Sequence, residues 1–310
     1  LRTKVVVTGG AGFIGSHIVE HWVKENADVH VLDNLSSGFK KNLDGFSITF
    51  HEGSITDKEL VFTALEGADY VHHLAAMVSV PESVADPYGC VEVNVIGLLN
   101  ILEGCVEHKV KKLIHSSSAA VYGENPESPK TVNMRPMPKS PYGITKLDGE
   151  YYLDAYNQNF GLGAISLRYF NVFGPRQDPN SQYAAAIPIF IQKALKNEPI
   201  IIYGDGEQTR DFIFVKDVVT ANILSATSEV RTGVFNAGNE KSITINELAR
   251  LIISETGSGS KIIFEKERPG DIKHSLSSIS STREILSFNP EHDLIDGLKE
   301  TIRYFIKLLT

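Results

Sequence analysis

Residues Val5 to Val19, "VVVTGGAGFIGSHIV", run from a β-branched apolar block through spaced glycines into an apolar-periodic segment. Gly9, Gly12 and Gly15 are spaced G-x-x-G-x-x-G, and Gly10, Gly12 and Gly15 also fit G-x-G-x-x-G. Glycine is needed where backbone must approach a pyrophosphate without a Cβ in the way, and where a helix packs close on a strand. A helix starting near Phe13 would then point unpaired N–H groups at the anion. A tight strand-to-helix turn alone would have the same local shape, so the choice depends on what lies downstream. The second strand pattern, "DVHVLD", ends in Asp33, 18 residues after Gly15. A carboxylate at that distance accepts hydrogen bonds from the adenosine ribose hydroxyls and repels a 2′-phosphate, which favours NAD over NADP.

The rest of the chain frames this reading. Its 310 residues are 42% hydrophobic and 22% charged, as in ordinary globular proteins, and the formal net charge of −8 argues against nucleic-acid or membrane partners. No apolar stretch is expected to reach bilayer length. The given sequence starts on a strand pattern rather than a leader-like segment, so a cytoplasmic location is the expectation. Cys90 and Cys105 sit in helical patterns and read as buried free thiols. Asn34-Leu35-Ser36 matches a glycosylation sequon but reads as a polar turn. His72 and His73 make no metal-ligand spacing with their neighbours, and no G-x-S-x-G elbow surrounds the serines near residue 118, so no metal site and no hydrolase nucleophile are expected.

Short apolar runs alternate with helical patterns over the first half: "KVVVT", "DVHVLD", "SITFHE", "ADYVHHL" and "KKLIHSS" are each followed by a longer segment. That alternation implies crossover units around a parallel sheet buried on both faces, a doubly wound Rossmann-type α/β fold. "GAISLRYFNVFG" reads as one further strand. Beyond about Pro175 turn chemistry thickens and strands shorten. Residues 1–174 are therefore expected to form the dinucleotide-binding domain, with some later segments returning to it. Residues 175–310 should form mainly a smaller mixed α/β substrate-binding lobe.

"SPYGITK" sets Tyr142 and Lys146 four apart, on one side of a helix that Ser140 can cap and Pro141 can open. A tyrosine titrates near pH ~10 when unperturbed, but a neighbouring ammonium and a cationic nicotinamide ring would draw that value down and make the phenol a base. Lys146 could also hold the nicotinamide ribose hydroxyls. Ser118, where "KKLIHSSS" runs out, falls at the carboxyl end of the sheet, where such folds place ligands.

At this point the chain resembles the extended short-chain dehydrogenase/reductases, and among them the nucleotide-sugar 4-epimerases. The motifs that carry the resemblance are "TGGAGFIGSH", "LDNLSSG", "HLAA", "NVIGLLNILE", "HSSSAAVYG", "PYGITK", "RYFNVFGPRQDP", "YGDGEQTRDFIFVKDV", "FNAGN" and "RPGD", in that order over nearly the whole chain. The resemblance implies catalytic roles for Ser118, Tyr142 and Lys146. It implies NAD contacts from Gly9, Gly12, Phe13, Ile14, Gly15, Asp33 and Asn34 around the first turn, and from Ser54 and Ile55 at the adenine. Leu74, Ala75, Ala76, Asn94, Ser116, Tyr169, Tyr142 and Lys146 would complete that cofactor site. Ser54 stands where the family often has Asp.

The resemblance further implies a UDP-sugar held by Ser118, Asn171, Gln177, Arg210, Arg268, Asp271 and Ser275. Paired guanidiniums suit a pyrophosphate. Ser275 stands where members restricted to glucose and galactose carry a bulky Tyr, so room for an N-acetyl group at C2 is expected. Ser118-Ala119-Ala120 lacks the acidic pair of the related dehydratases, which disfavours water elimination. The expectation is interconversion of UDP-glucose with UDP-galactose, together with the N-acetylated pair. The alternatives are a UDP-glucuronate 4-epimerase or decarboxylase, and an NAD-sensing regulator on the same fold. A homodimer formed through the helices between Val84 and His108 and after Tyr142 is the family expectation.

Overall fold

The computed structural model describes residues 2–180, 185–267 and 273–309. Seven strands make the main sheet in the order β10-β6-β5-β4-β1-β2-β3. They are β1 (Lys4–Thr8), β2 (Asp28–Asp33), β3 (Thr49–Glu52), β4 (Tyr70–His73), β5 (Lys112–Ser118), β6 (Ala164–Tyr169) and β10 (Thr232–Ala237). Every neighbouring pair is parallel. The sheet grows outward from β1 to β3, then returns to the other side of β1 with β4, so a crevice opens at the carboxyl ends of β1 and β4. Ligands bind at such a reversal.

Both faces of this sheet are covered, which is why its strands read as nearly unbroken apolar runs. Val5 and Val7 are buried on one face with Ile18 and Trp22 of α1 (Phe13–Lys24). Val6 is buried on the other with Val61 of α2 (Lys58–Leu65) and with Leu98 and Ile101 further along. Three segments run on as one helical span, Pro87–Glu107: α4 (Pro87–Val91) follows the short α3 (Val80–Ala85), a wider π-helical turn covers Glu92–Ile96, and α5 (Gly97–Glu107) completes it. By length and composition this span could cross a bilayer, which corrects the sequence expectation. It is nevertheless half buried, with Leu98, Leu102 and Cys105 fully enclosed beside the sheet. Cys90 and Cys105 are buried free thiols. The helix α6 (Pro141–Phe160) starts at Ser140, whose hydroxyl accepts from Gly143 N at 3.1 Å, and stops at Gly161 in the left-handed region at φ 69°.

"GAISLRYFNVFG" is not one strand. β6 ends at Tyr169, and β7 (Asn171–Phe173) pairs instead with β9 (Thr209–Phe214). Phe170 marks the break: its N–H donates to Ala237 O of β10 at 3.0 Å, and its ring packs with Tyr122. The smaller lobe is built on β7, β9 and β11 (Ser242–Thr244), and on the parallel pair β8 (Ile200–Tyr203) and β12 (Ile262–Glu265). Helices α7 (Ala186–Leu195), α9 (Ile245–Thr256) and α11 (Leu294–Leu309) close over its core, which includes Ile191, Phe214, Leu248 and Leu298. Between these elements α8 (Val215–Thr227) and β10 return to the main sheet, and α10 (Ser280–Leu286) packs beside β10.

Burial holds several histidines neutral. His17 and His72 are pushed down to about 4 and His73 to about 3, chiefly by loss of hydration. Below the unfolded value of 6.5 the unfolded chain therefore holds more protons than the folded one, and stability is lost as the pH falls through that region. Each group should lose about 2 kcal/mol of its contribution by pH 5. The thermal midpoint should fall by several degrees between pH 7.5 and pH 5; an unchanged midpoint would contradict the burial of neutral imidazoles.

Candidate active site

The first turn is a backbone cradle. Gly9 N donates to Leu32 O at 2.9 Å and Gly12 N to Gly9 O at 3.1 Å, which folds the chain back under α1. Gly9 has φ +70°, and a Cβ there would lie 2.7 Å from Ala75 N. At Gly15 a Cβ would lie 2.2 Å from Gly9 O, so the helix rests directly on the turn. Phe13 and Ile14 open α1; its N-cap Gly12 offers no side chain to the first N–H groups, and no acidic residue occupies the first turn. That leaves a free anion site at a helix N-terminus.

Asp33 stands beside it at the end of β2, 7% exposed. One carboxylate oxygen accepts from Ala11 N at 2.9 Å and the other from Leu35 N at 2.8 Å. Burial raises its pKa, while these two N–H groups favour the charged form. Each oxygen keeps lone pairs for a ribose diol. Asn34 closes the following turn by accepting from Ser36 N at 3.1 Å. The chain's residues thus fit a dinucleotide: a cradle that a Cβ would fill, an uncapped helix start, and an anchored acceptor next to it.

Other expected cofactor residues line the same end of the sheet. Leu74 N donates to Thr8 O at 3.1 Å and Ala75 N to Thr8 Oγ1 at 3.3 Å, so residues 74–76 pass over Gly9. Ser54 turns its hydroxyl onto Thr56 Oγ1 at 2.8 Å, and Ile55 O accepts from Asn100 Nδ2 at 3.0 Å. Asn94 is held by the loop at residue 77 and by α6. Its amide donates to Met77 O at 3.0 Å and Thr145 Oγ1 at 3.0 Å, and its oxygen accepts from Met77 N at 2.8 Å. Both amide hydrogens are engaged, and the side chain braces the residue 77 loop against α6.

Ser118, Tyr142 and Lys146 come together at the carboxyl end of β5. Ser118 Oγ accepts from Ala120 N at 3.1 Å and lies near the Tyr142 side chain, favouring its charged form. Tyr142 N donates to Ser83 Oγ at 3.1 Å, which docks the start of α6. Lys146 Nζ lies 5.8 Å from the Tyr142 ring centroid and donates to Ser116 O at 2.7 Å. Burial raises the Tyr142 pKa; the nearby Ser118 hydroxyl opposes this and the Cys90 thiol adds to it. Burial also brings Lys146 down to about 8. Without nucleotide the phenol is therefore held neutral, because loss of hydration outweighs the help from Ser118.

Ser116 and Tyr169 point their hydroxyls at each other, 3.1 Å apart, within the interior. Just below the site Ser117 Oγ donates to Glu150 Oε1 at 2.5 Å, and Glu150 pairs with Arg168 at 2.7 Å, both carboxylate and guanidinium nearly fully buried. This brace between α6, β5 and β6 was not legible in the sequence.

On the smaller lobe, Asn171 Nδ2 donates to Asp211 O at 3.0 Å and Gln177 Nε2 to Val172 O at 3.2 Å. Arg210 on β9 donates to Thr209 O at 2.9 Å. Ser275 N donates to Thr209 O at 3.2 Å, which sets Ser275 next to the Arg210 strand. Arg268 and Asp271 lie outside the described residues. Asp211, overlooked in the sequence, staples this region: its carboxylate accepts from Ser277 N at 2.9 Å, Ser277 Oγ at 2.5 Å and Asn239 N at 2.9 Å. The "RDF" acid next to Arg210 was the available signal.

Comparison with known proteins bears on this geometry. The family model described as "NAD dependent epimerase/dehydratase family" matches residues 5–238. A putative UDP-glucose 4-epimerase of Methanocaldococcus jannaschii is 40% identical over 302 residues, 97% of each chain. A solved UDP-N-acetylglucosamine 4-epimerase from Methanobrevibacter ruminantium, in complex with UDP-N-acetylmuramic acid, superposes with a TM-score of 0.95 at 45% identity, covering 99% of both chains. The Thermus thermophilus UDP-glucose 4-epimerase complexed with NAD gives a TM-score of 0.90 at 36% identity, covering 98% of this chain and 99% of that one.

Proposed function

Because this chain belongs to the NAD dependent epimerase/dehydratase family and is an NAD-dependent nucleotide-sugar 4-epimerase, we propose that it interconverts UDP-glucose with UDP-galactose and UDP-N-acetylglucosamine with UDP-N-acetylgalactosamine. The observation that carries the reading is the meeting of Ser118, Tyr142 and Lys146 at the carboxyl end of the sheet that also bears the glycine cradle and Asp33. NAD supplies a reversible hydride acceptor, so C4 can pass through a ketone and be reduced again without a second redox substrate.

Each residue has a task in that cycle. Gly9, Gly12 and Gly15 admit the pyrophosphate to the N-terminus of α1, and Asp33 accepts from the adenosine ribose. Tyr142 takes the O4 proton as C4 is oxidised and returns it on reduction, and Ser118 holds the same oxygen. Lys146 holds a ribose diol and favours the phenolate once the dinucleotide's charge is present. Arg210 and Asn171, with Arg268 and Asp271, hold the diphosphate and nucleoside, leaving the hexose free to present either face. Ser118-Ala119-Ala120 supports epimerisation over dehydration, since no carboxylate stands there to eliminate water.

Purified protein incubated with each of the four UDP-sugars, without added NAD, tests activity, sugar range and cofactor retention together. Equilibration of both pairs is expected; turnover of UDP-glucuronate alone would overturn the assignment. Ser275→Tyr should suppress the N-acetylated pair selectively by about ten- to a hundredfold, the range open to a pocket that discriminates by size. Equal loss on both pairs would contradict a gate at that position.

We read the enzyme as a homodimer. Tyr88, Val91 and Ile96 of the Pro87–Glu107 span and Ile144 and Tyr151 of α6 expose large apolar surface, with Tyr88 88% and Tyr151 61% exposed. Sedimentation as a monomer at micromolar concentration would contradict this.

A further inference from the structure

A polar seam crosses the face of the main sheet that packs on α1 and α8. It starts at Trp22, whose indole N–H donates to His72 Nε2 at 2.9 Å. That bond leaves the proton of the neutral imidazole on Nδ1, 3.4 Å from Asn222 Oδ1. The Asn222 amide donates to the Tyr169 hydroxyl at 2.7 Å, and the Ser116 hydroxyl donates to the same oxygen at 3.1 Å. Ser116 O in turn accepts from Lys146 Nζ at 2.7 Å. No residue in the series is more than 7% exposed.

Packing does not call for this. Val5, Val7, Ile114, Ile165 and Leu167 fill the same face with apolar side chains, and buried polar groups are tolerated only when bonded. Here donors and acceptors match throughout: the Tyr169 hydroxyl donates back to Asn222 Oδ1 at 3.0 Å, and the Asn222 amide also reaches Val218 O at 2.8 Å. The seam therefore works as a cross-linked anchor. It ends on Ser116, the residue whose carbonyl supports the ammonium.

We propose that Tyr169 and Asn222 are positioning residues for Lys146: through the Ser116 hydroxyl they fix the carbonyl on which its ammonium rests. This rests on the role assigned to Lys146 above. The titratable groups facing Lys146 are His73 of β4, His115 of β5, Cys90 of α4 and Tyr142 of its own helix. Burial holds both imidazoles, the thiol and the phenol in their neutral forms. A displaced Ser116 carbonyl would thus leave the ammonium less supported, and it would release its proton at lower pH.

The test follows the titration of Lys146 through its Cε resonance in the protein without added nucleotide, assigned with Lys146→Arg, alongside the alkaline limb of kcat/KM for UDP-glucose. Ser116→Ala and Tyr169→Phe should move both titrations down by about half a unit to one unit. They should lower kcat about tenfold with KM within about twofold. Trp22→Phe, at the far end, should move them less, and Ser116→Thr should restore them. Ile302→Val, buried in the other lobe, should lower the thermal midpoint without moving either titration. Unmoved titrations in Ser116→Ala, which deletes a single oxygen, would overturn the proposal, as would an equal shift in Ile302→Val. If the wild type proved inactive on UDP-sugars while the Lys146 resonance still shifted, the reaction assigned above would fail and the anchor would stand.

Discussion

Tyr142→Phe should lower kcat by about a hundred- to ten-thousandfold, the usual contribution of a positioned general base, while UDP-sugar binding changes little. Phenylalanine keeps the ring that lies 5.8 Å from the Lys146 ammonium and keeps the start of α6 docked through Tyr142 N on Ser83. What disappears is one oxygen, the neighbour of the Ser118 side chain. The substrate diphosphate is assigned to the other lobe, so its affinity should survive the change. Steady-state kinetics with both UDP-hexoses, paired with calorimetric titration of UDP-glucose, separates the two effects. Full turnover in the variant would remove Tyr142 from the chemistry. A matching loss of binding would instead mean that the hydroxyl orders the substrate site.

Gly15→Ala should weaken NAD binding by about a hundredfold, roughly 2.7 kcal/mol. A methyl at this position would sit 2.2 Å from Gly9 O and 2.9 Å from the Gly10 Cα. Both neighbours are backbone, so relief requires α1 to lift off the turn whose N–H groups receive the pyrophosphate. Overpacking of this kind commonly costs about 1–3 kcal/mol in stability as well. Gly12→Ala is the informative contrast. Its methyl meets Gly9 O at 3.1 Å, at an ordinary negative φ, so folding should be nearly unaffected and any lost affinity reports the close approach of the phosphate. Thermal melting with and without NAD reads both terms in each variant. Equal NAD affinity in Gly15→Ala and the wild type would show that the helix start does not carry the anion.

What could be read in advance was local. The glycine spacing, the acid closing β2, and Ser140 with Pro141 opening α6 each depend on residues a few positions apart, where backbone geometry and hydrogen-bond capping decide the outcome. Long-range partners were hidden. Trp22 finds His72 fifty positions on, and His72 faces Asn222 a further 150 positions along the chain. Strand periodicity marked His72 and His73 as strand residues, correctly, but could not say that one meets an indole while the other meets Thr8 Oγ1 at 2.8 Å. The segment from Ala164 to Phe173 was misread as a single strand for the same reason. Its apolar run is continuous, and only the partner edges of β10 and β9 divide it. Asn94 was expected at the cofactor from its motif, and its partners Met77 and Thr145, met from the π-helical turn at Glu92–Ile96, were not legible.

The direct test of C4 chemistry uses UDP-glucose labelled with deuterium at C4, incubated with the purified protein and NAD in ordinary water. The UDP-galactose formed is expected to carry deuterium at C4, because the hydride removed from one face returns to the other within the same closed site. Product with solvent hydrogen at C4, or no inversion at all in protein that has NAD bound, would contradict transient oxidation at the site built by Ser118, Tyr142 and Lys146.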